Sequence, residues 1–170
     1  GILNAGGLRY TYEGFSLYSG VTIGNADTID VAYETYTPIE SSSTTTVKVI
    51  LKLENADNPS VVTTYTDYGN RAKTTGAAWA SVPSWTVNVE TNSPSLVADV
   101  QTVVNRAGWA SGQAMQIFQM DDGAETPDTN EAQYRRPNSY TESTTKATKL
   151  HIEYTAASGV APKLTLMHAG

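Results

Sequence analysis

Between residues 46 and 53 every second side chain is aliphatic. Val47, Val49, Leu51 and Leu53 fall on one side, and Lys48 and Lys52 fall on the other with Ile50 between them. A period of two belongs to an extended strand, and lysines on the second face mean one side packed and one side wet. The period recurs along the chain. In residues 28–37 it separates Ile29, Val31, Tyr33 and Thr35 from Asp30, Ala32, Glu34 and Tyr36. In residues 84–90 it aligns Trp85, Val87 and Val89. In residues 149–154 it sets Leu150, Ile152 and Tyr154 inward against Lys149, His151 and Glu153. Residues 15–23, 61–65, 113–120, 131–136 and 160–167 read as further strands. Pro162 makes the last of these an edge strand or a bulged one. Residues 41–45 are a polar connector, 54–59 a turn and 67–76 a loop.

One segment departs from the pattern. Leu96, Val97, Val100, Val103 and Val104 follow helical spacing after Ser93-Pro94, a capping hydroxyl before a first-turn proline. Arg106 suits the last turn, and Gly108 suits a left-handed cap. The expectation is one short amphipathic helix at about 94–107, too short to stand without packing on a sheet. Composition agrees with the strands. The chain of 170 residues is only 16% charged, and 24 Thr and 14 Ser fill the difference. Thr is β-branched and suits a pleated surface.

Eight to ten short strands with one helix and no βαβ alternation predict an all-β fold. The specific expectation is a two-sheet antiparallel β-sandwich, jelly-roll-like in topology. The length suits one domain. It is placed at 13–155, with an N-terminal arm at 1–12 and a C-terminal arm or edge strand at 156–170.

The helix and its flanks also carry a resemblance. Ser93-Pro94-Ser95-Leu96, then Val100-Gln101-Thr102-Val103-Val104-Asn105-Arg106-Ala107-Gly108-Trp109-Ala110-Ser111-Gly112-Gln113-Ala114-Met115, resembles a segment of a β-sandwich module. That module is appended to secreted bacterial polysaccharide-active and adhesion proteins, and it occurs nearly alone in tailed-phage virion proteins. Trp85, the turn Leu53-Glu54-Asn55-Ala56-Asp57-Asn58 and the strand Leu150-His151-Ile152-Glu153-Tyr154 extend the likeness over roughly residues 20–155. Residues 121–148 depart from it, being longer and more acidic than the corresponding loop. The resemblance implies a sandwich that is not an enzyme, and it transfers no binding residues.

The side chains that could carry chemistry are few. There is no Cys, so disulfides, thiolate metal sites and Cys nucleophiles are excluded. His151 lies on the wet face of a strand, and no Gly-x-Ser-x-Gly elbow accompanies it. His168 is two residues from the end of the sequence. Asp121 and Asp122 are adjacent, so on a strand they diverge and do not face each other across a sugar. Asp121, Asp122, Glu125 and Asp128 do supply four hard oxygen donors around Gly123, a pattern that suits calcium although it is no EF-hand. Glu54, Asn55 and Asp57 form a weaker set of the same kind. Tyr65, Tyr68, Tyr134, Arg135 and Tyr140 read as side chains free to meet a glycan or a neighbouring subunit. Trp85 and Trp109 read as core anchors.

A net charge of −6 argues against nucleic acid and anionic membrane. No apolar run reaches the length of a membrane span. The chain begins at Gly1 and not at Met, so a missing leader excludes nothing. Two functional expectations follow. The first is a non-catalytic structural protein of a virion surface, a capsid decoration or tail-associated protein acting through subunit contacts. Ile2, Leu3, Leu8, Leu164, Leu166 and Met167 in the terminal arms would dock on neighbouring copies in a homo-oligomer. The second is a secreted or surface-exposed glycan-binding module, with or without calcium. Both expectations place the protein on a virion surface or outside the cell.

Overall fold

A computed structural model describes residues 2–5, 8–11, 13–42, 46–122, 134–157 and 163–169. Its strands are β1 (Ile2–Ala5), β2 (Leu8–Thr11), β3 (Gly14–Val21), β4 (Thr28–Tyr36), β5 (Val47–Leu53), β6 (Ala77–Val82), β7 (Thr91–Asn92), β8 (Gln113–Asp121), β9 (Lys149–Thr155) and β10 (Lys163–His168). Its helices are α1 (Tyr65–Asn70) and α2 (Val97–Val104). Two four-stranded antiparallel sheets make the sandwich, one in the order β10-β9-β4-β7 and the other β3-β8-β5-β6. β1 and β2 pair only with each other, in a third, two-stranded sheet.

The period of two decides which side chains enter the core. Leu51 and Leu53 of β5, Met115 and Ile117 of β8, and Leu150 and Ile152 of β9 are all at most 1% exposed. On β4 the alternation is interrupted. A bulge between Ile29 and Val31 lets both Ile29 and Ala32 face the core. Glu34 and Tyr36 then follow Ala32 inward, so a carboxylate enters the sandwich.

One end of the sandwich is plugged by α2. Leu96, Val100, Val103 and Val104 enter the same core cluster as the strands, each contributing roughly 1.5–3 kcal/mol of burial. The helix is shorter than the expected 94–107, and Ser93 is not its cap. Leu96 takes the N-cap position with no side-chain bond, while Ser93 Oγ accepts from the Glu34 amide and donates to the Pro94 carbonyl. Gln101 stitches the helix to β4, accepting from the Ile29 amide at 2.9 Å and donating to the Asp27 carbonyl at 3.0 Å. Asn25 donates to the Val104 and Arg106 carbonyls, which the helix end would otherwise leave open. The Trp109 indole N–H donates to the Ile23 carbonyl at 2.9 Å.

Arg106 and Gly108 do not cap the helix as expected. Arg106 reaches Asp57 at 2.7 Å and Asn55 at 2.7 Å. A Cβ on Gly108 would collide with the Asp57 carboxylate, so close approach and not a left-handed backbone requires glycine there.

Residues 54–76 cover the outer face of β8. The expected strand at 61–65 is absent, and the expected loop at 67–76 contains the end of a different element, α1. Thr64 caps that helix by accepting from the Asp67 amide. Arg71 pins the segment, bonding Asp67 through two nitrogens, Glu54 at 2.9 Å and the Ser60 carbonyl. The expected strand at 84–90 is also absent. Only Trp85 pairs, in an isolated bridge to Ser42, and a turn with Asn88 at φ 63° follows. Val87 and Val89 are consequently exposed. Of the expected strand at 131–136, residues 134–136 are not in a strand and the rest lies outside the described residues.

Candidate functional site

The other end of the sandwich holds a cleft of about 530 Å³. Its inner wall is the continuation of the core strands: Val47, Val49 and Leu51 of β5, with Trp79 and Val82 of β6. Phe15 and Leu17 of β3 line it as well. Tyr36 stands between two indoles, its ring 5.9 Å from Trp79 and 5.8 Å from Trp85. This aromatic set, with Val47 and Val82, is a core cluster of its own, apart from the one that α2 completes.

The outer wall is the segment 134–140, and backbone polar groups tie it down. The Asn138 amide and side chain both donate to the Thr37 carbonyl, at 2.9 and 2.8 Å. The Ile39 amide donates to the Arg136 carbonyl at 3.1 Å. Arg135 reaches across to the Pro83 and Val82 carbonyls at 2.9 and 3.3 Å. The segment therefore joins the ends of β4 and β6 and holds Tyr134 and Tyr140 at the rim. Tyr134 is 36% exposed and Tyr140 47%.

The floor is polar. Glu34 is fully buried. Its carboxylate accepts from the Tyr18 hydroxyl at 2.7 Å, from the Tyr36 hydroxyl, and from the Gln119 amide at 3.1 Å. Gln119 also donates to Ser16 Oγ at 3.1 Å. Burial pushes the Glu34 carboxyl above the usual carboxylate range, and the phenol and amide donors only partly offset it. Burial beside that carboxyl likewise holds the Tyr18 and Tyr36 phenols well above their ordinary value. Tyr36, Ser16 and Gln119 face the cleft from this network. Trp85 Nε1 is buried with no partner among the described residues. The walls as a whole are apolar, with a few fixed polar groups, the usual make-up of a binding cleft.

The sequence-derived candidates divide. Tyr134, Arg135 and Tyr140 come together at the cleft rim. Tyr65 is 87% exposed on α1, away from the cleft lining. Tyr68 is not free: it is buried edge-on against Phe118, ring centroids 4.9 Å apart, because residues 54–76 fold over β8. Asp121 ends β8, with its amide donating to Glu13, and Asp122 follows it. Glu125 and Asp128 lie outside the described residues. Among the described residues no three metal-ligating side chains converge. The weaker set is committed to arginines, Glu54 to Arg71 and Asp57 with Asn55 to Arg106.

Leu164 and Leu166 are exposed on β10, an edge strand whose ladder runs only to β9, and Met167 packs on the core. Ile2, Leu3 and Leu8 lie on the β1–β2 hairpin. His151 stacks on Tyr33 on the outer face of its sheet, 4.6 Å between centroids, with Nε2 3.0 Å from Glu153.

The residues that sequence reading left out are Tyr18, Glu34, Tyr36 and Gln119. A signal was present: Glu34 shares a strand face with Ala32 and Tyr36, an arrangement a wholly wet face would not need. Comparison of the chain with protein-family models, with curated proteins and with solved structures finds no match in any of the three.

Proposed function

We propose that the chain is a non-catalytic structural domain that works by assembling with other copies of itself, as a repeating component of a virion or other extracellular surface. The observation that carries this reading is the N-terminal hairpin. Among the described residues its two strands form a ladder with each other and with neither sandwich sheet. An isolated two-stranded hairpin is marginal in water and needs a surface to rest on. The edge strand β10, with Leu164 and Leu166 outward, adds a second apolar feature suited to contact between proteins. The cleft favours this reading over glycan binding, because its walls are apolar and Tyr18, Glu34, Tyr36 and Gln119 beneath it already bond one another.

Removal of residues 1–12 tests the reading. Sedimentation should then give a species of single-chain mass that keeps the circular dichroism spectrum of the full chain. Association undiminished by the deletion contradicts the proposal.

A further inference from the structure

The cleft has apolar walls and a floor that offers hydrogen-bond acceptors. Gln119 is half-buried on β8 and lines the cleft. Its Nε2 donates to both oxygens of the Glu34 carboxyl, at 3.2 and 3.1 Å, and to Ser16 Oγ at 3.1 Å. These acceptors fix which way the amide points, because turning it over would set Oε1 against the carboxyl oxygens. Oε1 therefore faces away from the network, and among the described residues it accepts no hydrogen bond. Gly14 stands opposite Gln119 in the ladder, and a Cβ there would come within 3.1 Å of Oε1. With no side chain, Gly14 leaves that oxygen uncovered at the cleft. The Tyr36 hydroxyl gives its proton to Glu34, so toward any other group it can only accept.

The charged and amide donors around the cleft are engaged. Asn138 donates to the Thr37 carbonyl, Arg135 to the Pro83 and Val82 carbonyls, and Arg136 to Glu142. Trp85 Nε1 has no partner among the described residues, but it is closed off from solvent and so from anything in the cleft. A ligand anion would thus meet acceptors backed by a buried carboxyl. A ligand cation would lose its water without gaining a fully ionised partner, because burial holds the Glu34 carboxyl above its usual range. What suits the floor is a neutral group with a proton to donate.

The body of such a ligand is set by the walls. Tyr36, Trp79 and Trp85 present ring systems, and Tyr134 and Tyr140 add two more at the rim. An aromatic body packs on rings with more than its buried area alone supplies. The volume of about 530 Å³ lies within the range of small-molecule pockets and admits two fused rings.

We propose that the cleft binds a neutral, planar aromatic molecule bearing one hydroxyl or N–H donor, with its rings against Trp79 and Tyr36 and its donor on Gln119 Oε1. This site goes beyond the self-assembly reading and does not depend on it.

Three probes test it on the full chain. 2-Naphthol carries the donor, 2-methoxynaphthalene keeps the rings without it, and 2-naphthoate replaces it with an anion. Calorimetric titration at neutral pH should show 2-naphthol binding roughly tenfold more tightly than 2-methoxynaphthalene, since the latter buries Oε1 unpaired. 2-Naphthoate should bind more weakly still. Gln119→Met should lower the 2-naphthol affinity to that of 2-methoxynaphthalene and leave the latter unchanged. A measurement on the unaltered chain locates the site however that variant folds. Bound 2-naphthol should give nuclear Overhauser contacts to Trp79 and Tyr36, and none to Trp109 at the plugged end.

No binding of any probe overturns the site. Equal affinity for 2-naphthol and 2-methoxynaphthalene, or tightest binding of 2-naphthoate, overturns the role of the acceptor floor. Contacts to Trp109 in place of Trp79 overturn its location.

Discussion

The two ends of the sandwich are built from the same strands and finished differently. At one end α2 and Trp109 close the gap between the sheets. Leu96, Val100 and Val104 are fully buried, and Gln101, Asn25 and the Trp109 indole satisfy the backbone groups left open there. At the other end Tyr36, Trp79 and Trp85 pack on each other beside a cleft, above a buried carboxylate. A gap between two sheets can be filled by the chain's own helix or left for something else. The difference separates an end closed by the chain's own helix from one lined, among the described residues, by an apolar cleft.

Perturbing the plugged end should have the largest effect. Trp109→Ala removes a 3%-exposed side chain and its bond to Ile23, and should cost about 3–5 kcal/mol in chemical denaturation. A loss under 1 kcal/mol would mean that α2 does not close the core. Asp99 is next. Its carboxylate accepts from the Gly76 amide at 2.8 Å and joins α2 to the start of β6. Asp99→Ala leaves that amide without its acceptor and should cost about 1–3 kcal/mol in the same measurement.

At the open end Trp79→Ala should cost less, about 1–2 kcal/mol, because the indole is only half-buried and lines the cleft. If it destabilises the isolated chain as much as Trp109→Ala, the two ends are not different in kind.

The smallest effect concerns pH. With its carboxyl raised by burial, the folded protein holds the Glu34 proton more tightly than the unfolded chain does. Stability from this group is fully present below the ordinary carboxylate range. It falls as pH rises, until the folded carboxyl ionises too, by at most about 1.4 kcal/mol per pH unit. Glu34→Gln should flatten that part of the profile, measured by denaturation at a series of pH values from 4 upward. An unchanged slope would place the titration elsewhere.

What was legible in the sequence follows from what each residue has to satisfy. The aliphatic alternation of β5 and β9 places Leu51, Leu53, Leu150 and Ile152 in the core, because a period of two leaves no other solution with one face packed. The helix stripe from Leu96 to Val104 is legible for the same reason, and Trp109 reads correctly as an anchor. Residues 84–90 mislead because the same alternation costs nothing in a short exposed segment, where Asn88 can take a positive φ and end the strand. Tyr68 misleads because its burial is created by Arg71 pinning residues 54–76, a long-range tie that no local pattern carries.

The cleft is half legible. Tyr134, Arg135 and Tyr140 stand out by type. Glu34 and Gln119 do not, because a carboxylate facing the core is normally a reason to assign a strand face to solvent. The bulge at Ile29 and Val31 brings Ile29 to the same core as Ala32, Glu34 and Tyr36, so the shared face of these last three was a weak signal that the register confirms.

The account turns on whether the chain associates with copies of itself. Sedimentation equilibrium of the full chain over a range of concentrations measures this directly. The expected result is a mass of at least twice 18.2 kDa, approached from below as the concentration is raised. A species of 18.2 kDa at every concentration would contradict it.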